Sequence, residues 1–230
     1  MATHTKSTLH ANRFPGESAE YRAARDKLLE EEVALRRHTE QVAAMRRALP
    51  QGGVAKDYVF EGVDGRVKLS ELFGRHDSLI TYHYMFGPER AAPCPMCTGI
   101  VGGLAGNAAD IEQRAALVVI AASPVARLVE FARERGWRHL RFVSDAGTSF
   151  ARDYFGNVDG QDVPILNVFR RDKNGTVRHF WGAELGMIPS DPGQDERVGD
   201  MLFPLWNALD LTPEGRGKDW YPSLNYDKAK

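Results

Sequence analysis

The sequence has little cysteine, no long apolar run and almost no net charge. Its 230 residues include only two cysteines, and 30 basic residues stand against 31 acidic ones, which gives a net charge of −1. A domain of this size can bury a large core without disulfides, so the two cysteines need not be structural. The balanced charge removes the global field that would hold nucleic acid or an anionic membrane surface. No apolar run reaches the roughly 18 residues that span a bilayer.

The first 21 residues lack the apolar centre of a signal peptide. We therefore expect a cytoplasmic protein whose partners include neither nucleic acid nor a membrane. Metal ligands are also scarce, because the sequence has neither a second C-x-x-C nor a pair of histidines at zinc-ligand spacing. Glycines at 99, 102, 103 and 106 are not followed by the Lys-Ser or Lys-Thr of a phosphate loop. We expect no metal and no cofactor.

Changes in composition, and proline and glycine residues at the boundaries, divide the chain into four parts. Residues 1–16 are predicted to form a flexible leader, 17–50 a helical arm, 51–212 a globular domain and 213–230 a polar tail. The arm lacks proline and glycine from Ser18 to Leu49, and large apolar residues recur in it every seven positions, at Tyr21, Leu28, Leu35, Val42 and Leu49. Because this stripe is narrow, we expect the helix to pack on another surface, and we predict a homodimer through it.

The domain alternates between strand and helix patterns. Hairpins are predicted around Asp64-Gly65 and Asn174-Gly175, and the apolar runs 78–86 and 117–121 have the character of central strands. Helices are predicted after Cys94, after Ser123 and near 149–155 and 201–211. Strands that alternate with helices and end in a hairpin indicate an α/β fold, one mixed sheet covered by helices on both faces.

The spacing Cys94-Pro-Met-Cys97 is the main chemical signal. At a strand-to-helix junction the first sulfur meets the unpaired amide groups of the helix N-terminus, which stabilise the thiolate. Cys97 lies one turn further on and can displace whatever Cys94 has captured. The alternatives, half of a zinc site or two unrelated small apolar residues, have less support, because structural zinc takes four ligands.

Residues beside this motif have ordinary structural interpretations as well as functional ones. His83, on the strand that leads to the cysteines, is a candidate proton relay to Cys97, although a lone strand histidine is more often a core residue. Tyr82, Tyr84 and Phe86 alternate on the opposite face and are predicted to be core, with the lining of a substrate cleft as the alternative. Asp145 follows a short strand and is predicted to cap a turn rather than act as a buried base.

The order strand, C-x-x-C, helix, strand, helix and a proline before a hairpin resembles the thioredoxin-like fold. That resemblance implies that Pro164 is the cis proline that faces the cysteines. The segment from Tyr58 to Gly87 is similar to the entry region of peroxiredoxins. More narrowly, RRALP, KDYVFEG, YHYMFGPE before CPMC, and LDLTPEGRG resemble the bacterial domain-of-unknown-function family 899.

The hypothesis favoured by these features is a thiol-disulfide oxidoreductase with Cys94 as nucleophile, Cys97 as resolving residue and Pro164 shaping the groove. Its partner would be a protein or small-molecule thiol or disulfide. A peroxiredoxin-like peroxidase is an alternative, although Ala91 stands where peroxiredoxins place Thr or Ser. A third alternative is a non-catalytic binding or scaffold protein that uses the helical arm.

Overall fold

The computed structural model describes residues 9–193, 203–217 and 219–226. The chain divides into two compact units, Met1–Pro50 and Gln51–Lys230. Residues 1–8 of the predicted leader, and parts of the predicted domain and tail, lie outside the described residues, and the four-part division stays a prediction. None of the described helices is both long and apolar enough to cross a membrane.

The first unit contains the predicted helix, α1 (Ala19–Arg47). It begins where the Ser18 hydroxyl accepts a hydrogen bond from the Tyr21 amide, and it ends at two arginines that complement the helix dipole. Leu28 and Leu35, two members of the seven-residue stripe, are exposed on it.

The second unit begins with a hairpin, a short helix and a central strand, and it continues as a series of strands and helices. Its elements are β1 (Val59–Gly62), β2 (Gly65–Lys68), α2 (Leu69–Leu72), β3 (Ser78–His83), α3 (Pro95–Ile111), β4 (Ala116–Ala121), α4 (Val125–Glu134), β5 (Arg141–Ser144), α5 (Phe150–Asp153), β6 (Asn157–Val158), β7 (Gln161–Asp162), β8 (Ile165–Arg171), β9 (Val177–Gly182), a 3-10 helix (Glu184–Met187) and α6 (Pro204–Leu209).

Seven of the described strands form one mixed sheet in the order β2-β1-β5-β4-β3-β8-β9. Strand β3 runs parallel to β4, with Leu79 opposite Ala116, and antiparallel to β8, with His83 opposite Ile165. The unit β3-α3-β4, followed by the hairpin β8-β9 and by α6, forms a thioredoxin-like core. The resemblance seen in the sequence is therefore confirmed at the level of the fold.

The sheet buries one apolar cluster on each face. On one face Tyr82, Val119 and Phe142 pack with Ile100 and Val101 of α3 and with residues of α4 and α6. On the other face strand residues pack with α2 and α5 in a second cluster that contains Leu69, Leu72, Leu79, Val118, Val143, Phe150 and Phe169. Alternate residues of each strand supply the two clusters, as the pleat requires. The prediction of helices on both faces is confirmed.

Glycines of α3 allow a close approach to the chain around α6. A Cβ atom at Gly99 would lie 2.4 Å from Cζ of the buried Phe203, whereas a Cβ at Gly106 would meet nothing within 4 Å. Gly99 is therefore required for packing at this contact. The predicted helix over 201–211 is shorter in the structure, α6, and residues 201 and 202 lie outside the described part.

Candidate functional site

Cys94 is the N-cap residue of α3, and Pro95 occupies the first helical position. Proline suits that position because its missing amide hydrogen would have no helical acceptor. The Cys94 amide donates to the Met85 carbonyl at 3.1 Å, which ties the motif to the chain that leaves β3. Cys94 is half-buried, whereas Cys97 is 1% exposed. An external sulfur can therefore be attacked by Cys94 but not by Cys97.

The two thiols interact, and their acidities diverge. A hydrogen bond from the Cys97 thiol, helped by the Cys97 and Met96 amides and by the positive charge of Arg90, lowers the pKa of Cys94 to about 6 against the opposing effect of burial. The hydrogen bond with Cys94, burial and the negative charge of the Cys94 thiolate raise the pKa of Cys97. Near neutral pH the site therefore holds a thiolate at Cys94 and a protonated thiol at Cys97.

Two tyrosines of the strand that leads to the motif lie against it. The Tyr82 hydroxyl is buried next to the Cys97 thiol; burial, and then the charge of the Cys97 thiolate, raise the pKa of Tyr82. Its interaction with Cys97 in turn lowers the pKa of that thiol. The Thr98 hydroxyl donates to the Cys94 carbonyl at 2.9 Å, and the Tyr84 hydroxyl donates to Thr98 at 2.6 Å. These contacts fix the first turn of α3.

Arg127 of α4 holds the loop that precedes the cysteines. Its guanidinium donates to the carbonyl oxygens of Arg90 at 2.6 Å and Ala91 at 3.0 Å, and it reaches the Gly87 carbonyl at 3.4 Å. The same group lies 4.3 Å from the centroid of the Phe86 ring. A planar cation that satisfies three backbone acceptors gives the loop one defined conformation. The cation of Arg90, which acts on the Cys94 thiolate, is carried on this loop.

His83 lies on the other face of the sheet from Tyr82 and Cys97. Its Nδ1–H donates to the Val163 carbonyl at 3.0 Å, and its Nε2 lies 3.6 Å from Oδ2 of Asp145. Both side chains are buried, and the Asp145 carboxylate oxygens have no hydrogen-bond donor among the described residues. The favoured expectation that Asp145 caps a turn through its side chain is therefore wrong. The relay from His83 to Cys97 stays a prediction, and the sheet separates the two side chains.

Pro164 is exposed and directly precedes β8. No peptide bond of the described residues is cis, so the Val163–Pro164 bond is trans, contrary to the cis bond implied by the resemblance. Both backbone groups of Val163 are engaged, because its amide donates to the Gly156 carbonyl and its carbonyl accepts from His83. The structure thus brings Cys94 and Cys97 together and places His83 and Pro164 at adjacent strand ends.

Among residues 9–193, 203–217 and 219–226, no group of three or more His, Cys, Asp or Glu side chains is arranged to hold a metal ion.

Comparison with known proteins identifies the family. The model of a bacterial family of unknown function, DUF899, matches residues 11–229. The chain belongs to the DUF899 family. A comparison with curated proteins gave no match.

Solved structures similar to this DUF899 member include three bacterial proteins. The hypothetical protein SMc02350 from Sinorhizobium meliloti 1021 is 20% identical, with 77% of this chain and 92% of that chain covered and a TM-score of 0.43. The peroxidoxin BcpB from Mycobacterium tuberculosis is 18% identical, with 70% and 98% covered and a TM-score of 0.43. A peroxiredoxin-like protein from Aquifex aeolicus is 16% identical, with 58% and 75% covered and a TM-score of 0.41.

Three features of the site were not foreseen from the sequence. The contact of Tyr82 with Cys97 could have been inferred from the alternation of side chains along β3, because Tyr82 and His83 lie on opposite faces of the sheet. No sequence pattern indicated the roles of Arg90 and Arg127, because a charged residue in a loop and a charged residue on a helix are ordinary features of a protein surface. Their function depends on the path of the loop, which only the folded chain defines.

Proposed function

We propose that this protein is a thiol-disulfide oxidoreductase. One observation carries the proposal: a half-buried thiol with its pKa lowered to about 6 occupies the N-terminus of α3, one turn from a second, protonated thiol. This pairing separates the two roles that disulfide exchange requires. Cys94 supplies the nucleophile, and Cys97 keeps its proton until the first step is complete.

The reaction balances in two exchanges. The Cys94 thiolate attacks one sulfur of a substrate disulfide, which forms a mixed disulfide and expels the other substrate sulfur as a thiolate. Cys97 then gives its proton to the substrate thiolate expelled in the first exchange and attacks the Cys94 sulfur, which closes the Cys94–Cys97 disulfide and expels the second substrate sulfur as a thiolate. This second thiolate takes a proton from solvent. The substrate thus gains two electrons and two protons, and the Cys94–Cys97 pair loses two electrons and the proton of Cys97. The reverse sequence would oxidise a substrate dithiol.

The structure offers a reason for the burial of Cys97. A buried resolving thiol cannot attack an external disulfide, so Cys97 reacts only with the mixed disulfide that forms at Cys94. The adjacent Tyr82 hydroxyl is buried and has no hydrogen-bond partner among the described residues, so it is free to donate to the Cys97 thiolate as it forms. Arg90 adds positive charge beside Cys94, and part of that charge is offset by Asp162, whose Oδ2 lies 3.8 Å from the Arg90 Nε.

A trapping experiment tests the proposal. A Cys97→Ser variant should accumulate mixed disulfides with oxidised glutathione or with a disulfide-containing protein, because resolution is blocked. Wild type should instead form the intramolecular disulfide, and a Cys94→Ser variant should do neither. Mass spectrometry of unreduced protein distinguishes these products. Failure of wild type to form the Cys94–Cys97 disulfide under mild oxidation would overturn the proposal.

The peroxidase alternative has weaker support from the site. Ala91, three residues before Cys94, has no hydroxyl to orient a peroxide, and its carbonyl is occupied by Arg127. Consumption of hydrogen peroxide by the reduced protein at a rate above that of free cysteine would restore this alternative. A cytoplasmic location stays a prediction from the sequence.

The homodimer also stays a prediction, and it depends on the exposed apolar stripe of α1. Leu28 and Leu35 are 53% and 66% exposed. If two copies pair through this stripe, the double variant Leu28→Glu/Leu35→Glu should halve the mass measured by light scattering, because buried carboxylates oppose the contact. The matched control Lys27→Glu, which changes a polar position of the same helix, should leave the mass unchanged. A monomeric wild type would refute the prediction.

A further inference from the structure

A second concave site lies away from the dithiol, between the β1–β2 turn, the end of α4 and the start of β5. Its volume is about 840 Å³, and neither cysteine lines it. That volume falls within the range of small-molecule sites. Apolar side chains, among them Phe142 of β5 and Val129 of α4, form part of its lining.

Four arginines surround this cavity: Arg66, Arg133, Arg138 and Arg141. They come from β2, the last turn of α4, the connection after α4 and the first residue of β5. Within the described part of the chain, none of the four side chains has a hydrogen-bond acceptor or an ion-pair partner. In a chain whose net charge is −1, four unpaired guanidinium groups around one cavity form a local concentration of positive charge.

The acidic groups of the cavity offset only part of this charge. Asp64 and Glu71 also line it, and the Glu71 carboxylate accepts a hydrogen bond from the Lys68 amide at 2.7 Å, so four arginines face two carboxylates and a net positive charge remains. The carboxyl end of α4 contributes a partial negative charge, which Arg133 in its last turn offsets. The other three guanidinium groups remain available to an anion from outside.

One wall of the cavity is aromatic and held in place. The Trp137 indole stacks on Phe142, with ring centroids 6.3 Å apart and planes 7° from parallel. The Phe131 ring packs edge-on against Trp137 at 5.9 Å. These rings pack in the apolar cluster that contains Tyr82 and Val119, so the wall presents a fixed planar surface beside the arginines.

We infer that this cavity binds a small organic phosphate in which an anionic group is joined to a planar or apolar group, the chemical class that includes nucleotides. Guanidinium groups match phosphate oxygens by paired hydrogen bonds, and three or four of them balance a group with more than one negative charge. The aromatic and aliphatic lining would take the uncharged part of the ligand. The site is independent of the proposed disulfide chemistry.

Calorimetric titration of the full-length protein tests the inference, with ADP, adenosine and inorganic pyrophosphate as probes. ADP should bind saturably with one site per chain, pyrophosphate should bind more weakly, and adenosine should show no saturable binding. The double variant Arg66→Gln/Arg141→Gln should weaken ADP binding at least tenfold. Raising the salt concentration from 50 to 200 mM should also weaken it, because the attraction is electrostatic.

The matched control changes two exposed arginines away from the cavity, Arg75→Gln/Arg114→Gln. It alters the net charge equally and should leave ADP affinity within twofold of wild type. Equal weakening in both double variants would show unspecific attraction and overturn the inference. Absence of saturable ADP binding at millimolar concentration, or tighter binding of a hexaglutamate peptide than of ADP, would also overturn it. Unchanged unfolding midpoints in urea would confirm that the variants remain folded.

Discussion

The acidity of Cys94 leads to a quantitative prediction about its reactivity. With a pKa of about 6 instead of its ordinary 9.0, Cys94 is about 90% thiolate at pH 7, whereas an ordinary thiol is about 1% thiolate. A more acidic thiolate is also a weaker nucleophile, by about 15- to 30-fold for this difference in pKa. The net advantage over an ordinary thiol is therefore about 3- to 6-fold at pH 7 and about 25- to 50-fold at pH 5.5.

The assay is alkylation by iodoacetamide as a function of pH, with the modified peptide identified by mass spectrometry. Cys94 should account for the reaction below pH 8, because the raised pKa of Cys97 keeps that thiol protonated. The profile should have its midpoint near pH 6. Because the two thiols interact, this midpoint describes the pair as well as Cys94.

A Cys97→Ala variant tests the cause of the shift. It removes the hydrogen bond that contributes most to the lowered pKa of Cys94, so the midpoint should move to higher pH and the advantage at pH 5.5 should fall. Met96→Ala is the matched control, because it removes a neighbouring side chain and keeps the Met96 amide that helps to stabilise the thiolate. A wild-type midpoint above pH 8, or an unchanged midpoint in Cys97→Ala, would refute the reasoning.

Three further predictions concern the packing and the charge of the domain. Tyr82→Phe removes the hydroxyl beside Cys97 and should slow closure of the intramolecular disulfide by about tenfold or more, because a hydrogen bond to a charged group contributes about 1.5–3 kcal/mol; stopped-flow quenching would measure this, and an unchanged rate would contradict it. Gly99→Ala should lower the free energy of unfolding by about 1–3 kcal/mol through overpacking, whereas Gly106→Ala, in open space on the same helix, should raise it by about 0.5–1 kcal/mol; urea titrations that give both variants the same sign would argue against the contact. Hydrogen bonds from Lys56 and Tyr58 lower the pKa of Asp153 to about 2, so its stabilising contribution is present above about pH 4 and is lost as the pH falls towards 2. Asp153→Asn should flatten this part of the stability profile, and an identical slope in both proteins would exclude the effect.

The central elements of the fold could be predicted from the sequence because their signals are local. Continuous apolar residues define β4, the C-x-x-C motif and Pro95 define the start of α3, and Asp64-Gly65 defines the first hairpin. The two-residue strands β6 and β7 were not predicted, although Asp159-Gly160 between them is a hairpin turn signal with positive φ at both residues. Two residues are too few to show periodicity, so the turn alone did not identify them.

Only the part of the candidate site that is formed by residues close together in the sequence could be predicted. Cys94 and Cys97 are one helical turn apart, so their proximity follows from the spacing. The positions of Tyr82 and Arg90, which affect the pKa values of the two thiols, do not follow from spacing. They depend on which face of β3 carries Tyr82 and on the path of the loop that carries Arg90. The contact of His83 with Asp145 likewise joins the ends of two strands that are separated by more than 50 positions in the sequence. Long-range contacts of this kind leave no local pattern.

The imidazole of His83 has a consequence for how this family can vary. A Cβ atom at Gly156 would lie 2.5 Å from Cγ of that ring, well inside van der Waals contact. Any larger residue at 156 would thus have to displace the ring and break its hydrogen bond to Val163. Positions 83 and 156 should therefore change together during evolution, so that relatives with histidine at the first keep glycine at the second.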